Sequence, residues 1–163
     1  MPAPTTPSHR FDCRLVWTGA RQGPIVSYET YSREVRVDFP GKPSLKMSSA
    51  AVFRGDPVIH DPEDLLVAAL SACHFLSYAA LCARAKIQVI SYEDDASGVM
   101  ERTGGRTFKF TDVLLKPRVT IAAGSDPEKA RALHEDAHAE CFIAASVNFP
   151  VRHEPTISVM AAV

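Results

Sequence analysis

A chain of 163 residues suits one domain with one sizeable core, or one protomer of an intertwined dimer, and two independent cores are not expected. With 46% hydrophobic and 23% charged residues it has the make-up of an ordinary soluble globular protein. A formal net charge of -1 supplies no electrostatic basis for binding nucleic acid or an anionic membrane.

Met1 to Ser8 holds three prolines and lacks the basic-then-apolar order of a signal peptide or anchor, so residues 1–10 are expected to form a flexible arm. Residues 11–163 are then a single domain in a reducing cytosol. Four cysteines in that compartment point to free, catalytic or metal-bound thiols rather than a disulfide frame.

Phe11 to Trp17 is rich in strand formers, Gly19 to Pro24 supplies a turn, and Ile25 to Tyr31 and Glu34 to Phe39 read as further strands. Val35, Val37 and Phe39 alternate with Arg36 and Asp38, which predicts one buried and one wet face, and Pro40 to Pro43 ends the run. At Asp61 the pattern changes. Asp61 suits an N-cap, Pro62 the first helical position, and Glu63 and Asp64 the positive end of the helix dipole. From Leu65 to Ala85 apolar residues cover nearly every face, the pattern of a helix buried in a core or an interface. Ser71, His74, Ser77, Tyr78 and the early acids argue against a membrane span.

Strand composition resumes over Ile87 to Gly98 and Thr107 to Ala122, joined by a turn at Gly104-Gly105. Val113, Leu115, Val119 and Ile121 are the apolar markers there, and Pro117 suggests an edge or a bulge. Asp126-Pro127-Glu128 repeats the helix-start signal for a helix to about Ala139, and Glu154 to Val163 closes the chain as a strand. The order predicts an α+β fold in which antiparallel sheets wrap central helices. One sheet cannot easily enclose so apolar a helix. A homodimer is therefore expected, with Ala68, Ala69, Ser71, Ala72, Ala79 and Ala80 permitting close approach of a second backbone.

Two of the cysteines stand out. Cys73 lies in Asp61-Pro62-Glu63-Asp64-Leu65-Leu66-Val67-Ala68-Ala69-Leu70-Ser71-Ala72-Cys73-His74, and Cys141 follows His134-Glu135-Asp136-Ala137-His138-Ala139-Glu140. Far apart in sequence, each beside a helix-like stretch, they suggest a two-cysteine redox site. Cys13 and Cys82 lack such framing and read as strand or core residues, and His74 as a core or interface histidine.

Asp-Pro-Glu-x-Leu-Leu, a run of small residues, and Ala-Cys ten positions after the Glu together resemble the OsmC/Ohr family of peroxide-reducing proteins, over most of the chain from Phe11. The resemblance implies an OsmC-like fold and an intertwined homodimer with active sites at the subunit interface. It makes Cys73 the peroxidatic cysteine, Cys141 the resolving cysteine and Glu63 the acidic residue of the site. Arg21, in a Thr18-to-Gly23 turn similar to a Gly-Gly-Arg turn of that family, matches its activating arginine, with Arg54 a second candidate. It implies a cytoplasmic peroxidase without a cofactor, whose substrate is an organic hydroperoxide and whose reductant is a small or lipoyl-type dithiol.

The chemistry suits those residue types, because only a thiolate attacks an O–O bond well. A guanidinium favours the thiolate, and its planar fork can be held by a carboxylate. Attack leaves a sulfenic acid on Cys73, which Cys141 can condense with before over-oxidation. Phe53, Phe75, Tyr78, Phe142 and Phe149 are the expected pocket walls, favouring an organic peroxide.

One constraint accompanies this site. On an unbroken helix Glu63 and Cys73 stand ~15 Å apart along the axis. They cannot both touch one arginine unless the helix breaks or a partner helix in the dimer supplies one of them.

Cys73 is followed by His and Cys141 by Phe where the commoner members of the family have Phe and Pro, which points to a less characterised branch. A Cys/His metal-binding or thiol-sensing module is a competing reading, because His138 and Cys141 share a helical face at i, i+3 and Cys73 could join them. A ligand-binding member with vestigial redox activity is a third.

Overall fold

The computed structural model describes residues 8–161, so most of the expected N-terminal arm and the end of the expected last strand lie outside the described residues. Contacts divide the chain into two compact units, Met1–Leu65 and Leu66–Val163.

The first unit is an antiparallel meander of β1 (Arg14–Trp17), β2 (Val35–Phe39) and β3 (Lys42–Met47), with β2 central. Trp17 pairs with Val35 and Val35 with Met47, and Val37 turns inward as the alternation required. Pro40 and Gly41 make a tight hairpin rather than the end of the run, because Gly41 takes a φ of 69° that closes the turn and lets Lys42 pair with Phe39. Pro43 is tolerated because β3 is an edge strand with a register shift at this point.

Ile25 to Tyr31 forms no strand. Ile25 and Val26 are exposed, and strand propensity expresses fit to a half-buried pleated surface that this segment does not meet. The loop is held instead by Arg33, which donates to the carbonyls of Tyr28 and Tyr31 at 2.6 and 2.8 Å and lies over both rings. The indole of Trp17 donates to the Ser32 carbonyl at 2.7 Å, across a gap so narrow that a Cβ on Gly19 would sit 2.4 Å from the indole nitrogen. Cys13 is exposed ahead of β1, so it is neither a strand nor a core residue.

The first long helix, α1 (Pro62–Arg84), starts where expected. Asp61 accepts from the Asp64 amide at 2.8 Å while Asp64 accepts from the Asp61 amide at 3.4 Å, a reciprocal capping box. By length and composition alone α1 could cross a membrane. Its Leu70, His74, Tyr78 and Cys82, one stripe at i, i+4 spacing, instead form part of the protein core.

In the second unit the two long ribbons each split into two strands: β4 (Val89–Asp94) and β5 (Ser97–Arg102), then β6 (Phe108–Leu115) and β7 (Pro117–Ile121). Asp94 explains where they split. Its carboxylate accepts the Lys116 amide at 2.7 Å and the Ser71 hydroxyl of α1 at 2.5 Å, tying both breaks to the helix. Pro117 is buried at the first position of a central strand, not at an edge, and needs no ladder donor there. Next comes α2 (Pro127–Glu140), whose N-cap Asp126 accepts from the amides of Glu128 and Lys129.

The chain closes with β8 (Val151–His153) and β9 (Thr156–Val159), where a single strand was expected. They complete two three-stranded sheets, β4-β7-β9 and β5-β6-β8. The ladders are antiparallel except for these last strands: β8 runs parallel to β6 and β9 to β7. Tyr78, Cys82, Val119, Ile121, Ala130, Leu133 and Ala137 form one core, joining α1, β7 and α2. Leu70, Val113 and Leu115 form the other, with Phe110, Phe149 and Val151 packed around them. The α+β expectation therefore holds.

Candidate functional site

Three pairs of residues fix how α1 and α2 pack. The Tyr78 hydroxyl donates to the Ala130 carbonyl at 3.1 Å, His74 hydrogen-bonds His134 at 3.0 Å, and Cys73 lies beside Cys141. Numbers rise along one helix as they fall along the other, so the helices run antiparallel and the cysteines meet at the C-terminal end of α2.

The two thiols differ in setting. Cys73 is partly exposed on α1, whereas Cys141 is 1% exposed and caps the C-terminus of α2. Burial above all, helped by the neighbouring Cys73, pushes the Cys141 thiol up to about 11, against the Ala144 amide, which donates to its sulfur at 3.4 Å. Cys141 thus holds its proton at neutral pH. All four cysteines are free, and Cys82 is a core thiol raised by burial.

Glu63 lies in the first turn of α1, and its Oε2 is buried with no hydrogen-bond partner among the described residues. Because α1 runs unbroken from Pro62 to Arg84, Glu63 and Cys73 are ~15 Å apart along its axis. Of the two ways to bring them to one arginine, a broken helix is removed. Arg21 is exposed near the end of a 3-10 turn, Thr18–Gln22; Lys46 above all, then the Thr18 hydroxyl and last the Arg21 charge, hold the Glu34 carboxyl below its ordinary range. Arg54 follows the 3-10 turn Ala51–Phe53 with a φ of 65°, its guanidinium 5.9 Å from the centre of the Tyr28 ring.

The expected pocket walls divide. Tyr78 is fully buried, its ring 3.9 Å from that of His134, so it is a core residue and cannot line a pocket. Phe75 packs on Tyr92 and Phe149 on Phe110. Phe142 is 81% exposed, and Phe53 is partly buried. Among the described residues no three His, Cys, Asp or Glu side chains are arranged to hold a metal, so the competing metal reading gains no support.

Sequence reasoning missed a group beside the thiols: His74 on α1, His134 and His138 on α2, and His153 on β8, gathered ring against ring. The i, i+4 spacing of His134 and His138 was the available signal.

The family profile described as OsmC-like protein matches residues 55–156. The chain belongs to the OsmC-like family. Its fold is similar to that of an OsmC-like protein of unknown function from Vibrio cholerae, at 29% identity and TM-score 0.82 over 91% of this chain and 100% of that one. An organic hydroperoxide resistance protein from Elizabethkingia anophelis matches with TM-score 0.70 at 18% identity, over 96% of this chain and 100% of that one. An organic hydroperoxide resistance protein OsmC from Legionella pneumophila matches with TM-score 0.67, also at 18% identity, over 94% of this chain and 100% of that one. Those two likenesses bear on the fold alone. No curated protein matches the sequence. The OsmC-like fold expected from the Asp61-to-Cys73 motif is thus the fold observed.

Proposed function

We propose that this OsmC-like protein is a cytoplasmic thiol peroxidase acting on organic hydroperoxides. One observation carries the reading: two free thiols from different helices stand side by side, one accessible and one sheltered. The Cys73 thiolate attacks the outer peroxide oxygen, the O–O bond breaks, and the alkoxide leaves as the alcohol after taking a proton. The sulfenic acid left on Cys73 condenses with the Cys141 thiol to give a disulfide and water. A small or lipoyl-type dithiol then restores both thiols and is itself oxidised. The partly exposed thiol is suited to meet substrate, and the buried one to wait as a protonated partner.

Arg21, held by Glu63, is the group that favours the Cys73 thiolate in this scheme, and a second copy of the chain is needed to assemble it. Two features support the dimer. Leu76 is 65% exposed and Ala68, Ala72 and Ala80 are exposed on an apolar helix of which only one stripe is buried, an arrangement that marks an interaction face. The buried oxygen of Glu63 also needs a donor. Leu76→Arg is expected to shift micromolar protein from dimer to monomer in sedimentation velocity. A monomeric wild type would remove the shared site.

The mechanism is tested by mixing reduced protein with one equivalent of an alkyl hydroperoxide and mapping the thiols by mass spectrometry. A Cys73–Cys141 disulfide is expected, and a sulfenic acid at Cys73 in Cys141→Ser. An unoxidised Cys73, or stoichiometric zinc held by Cys73 and Cys141 in protein purified without chelators, would overturn it.

A further inference from the structure

Four imidazoles occupy the junction of α1, α2 and β8. His74 and His134 are at most 1% exposed, and the His153 side chain is 8% exposed. The rings of His74 and His134 lie 5.3 Å apart and nearly parallel, those of His74 and His153 5.3 Å apart, and those of His138 and His153 5.6 Å apart. Tyr78 closes the stack against His134. His74 Nε2 and His134 Nδ1 share one hydrogen bond at 3.0 Å, so one nitrogen donates and the other must be bare. The second nitrogens, His74 Nδ1 and His134 Nε2, are buried without partners among the described residues, as are Nδ1 of His138 and of His153.

This arrangement tolerates neutral rings and resists charged ones. If both members of the His74–His134 pair carry a second proton, no acceptor remains and their hydrogen bond is lost. Each added charge would also sit among stacked rings in a poorly solvated space. The charged neighbours offer little compensation. On α2, Arg131 is a cation that works against charging His134, and the anion Glu135, 79% exposed, faces His153 at 3.6 Å. On α1 and β4, Tyr78 and Tyr92 contribute only neutral hydroxyls, each phenol raised far above its ordinary value by burial.

The stack lies on the elements that place the thiols. Cys73 immediately precedes His74, and Cys141 follows His138 by three residues, its amide donating to the His138 carbonyl at 3.3 Å. We propose that the histidine stack is an acid-sensitive clasp that, while neutral, locks α2 against α1 with Cys141 beside Cys73 and, when protonated, lets the end of α2 swing away and uncouples the thiols. The histidines are positioning residues, and their effect on disulfide formation rests on the dithiol cycle proposed above. Burial and the neighbouring rings lower His74 to about 4 and His134 to about 3, which agrees with a stack held neutral while folded.

The sign follows from linkage. An opened clasp takes up protons near the ordinary histidine pKa and a closed one does not, so closure is fully favoured above about pH 6.5 and weakens as pH falls toward the depressed values. With His74 and His134 both released, opening becomes on the order of a thousandfold more favourable between pH 7.5 and pH 5.

Hydrogen exchange on fully reduced protein reads the clasp apart from any redox chemistry. Protection factors of α2 amides, corrected for intrinsic exchange, are expected to fall by about that factor between pH 7.5 and 5, with β5 and β6 keeping theirs. In His134→Gln, where an amide still reaches His74 without titrating, the fall is expected to shrink to roughly the thirtyfold of a single histidine. In parallel, one equivalent of alkyl hydroperoxide at pH 5 is expected to leave Cys73 as sulfenic acid and at pH 7.5 to give the disulfide. Unchanged α2 protection in the wild type overturns the clasp. Disulfide yield that falls while α2 stays protected also overturns it, by placing the pH effect on thiol ionisation. Failure of Cys73 to oxidise at either pH would strike the peroxidase reading, while the reduced-state exchange still decides the clasp.

Discussion

Cys73→Ser is expected to lower peroxide consumption at least about a thousandfold, the order of loss when an enzyme's covalent nucleophile is removed. A serine hydroxyl is protonated at any working pH and is a poor nucleophile toward an O–O bond, which a thiolate attacks well. The substitution is nearly isosteric at a partly exposed position, so the fold should persist. Cys141→Ser separates the two roles. Its first turnover should consume one equivalent of peroxide at a rate near wild type, after which dithiol-supported turnover stalls. Excess peroxide then drives Cys73 to sulfinic acid, which is not reduced by thiols. A rapid-mixing assay with cumene hydroperoxide, followed by mass spectrometry, distinguishes these outcomes. Equal loss of the first turnover in both variants would mean that Cys141 does more than resolve.

Leu115→Ala is expected to destabilise the second unit by about 2–5 kcal/mol, the range for truncating a leucine in a packed core. Leu115 is 0% exposed at the end of β6, among Leu70 of α1 and Val113, where the surrounding elements leave little freedom to collapse into a cavity. At roughly 2–4 °C per kcal/mol for a chain of this size, the melting temperature should fall by about 5–15 °C. Val99→Ala, at a residue 49% exposed on β5, provides the comparison and should cost less than about 1 kcal/mol. Thermal melts of both variants under reducing conditions check the contrast. A dimer adds concentration dependence to the melting temperature, so protein concentration must be held constant.

Both helix starts were legible because their cause is local. Asp61-Pro62 and Asp126-Pro127 each place an acceptor and a donor-free residue where a helix leaves amides unpaired, and both caps form. The cysteine framing and the OsmC resemblance were legible in the same way, since residues 55–156 carry the family pattern. Ile25 to Tyr31 misled because strand-forming residues make a strand only where a neighbour pairs with them. The splits at Asp94 and Lys116 were hidden for a related reason: a carboxylate 22 residues away in sequence captures the Lys116 amide.

By itself the sequence determined the elements bounded by local signals, the α+β class and the family pattern over residues 55–156. Only the tertiary structure decided that Tyr78 belongs to the core rather than to a pocket, that α1 carries Glu63 and Cys73 on one unbroken axis, and that four histidines from three elements converge beside the thiols. Caps, turns and periodicities arise from interactions within a few residues. Side chains brought together by packing, such as His74 and His134, which are 60 residues apart in sequence, meet only when the chain has folded.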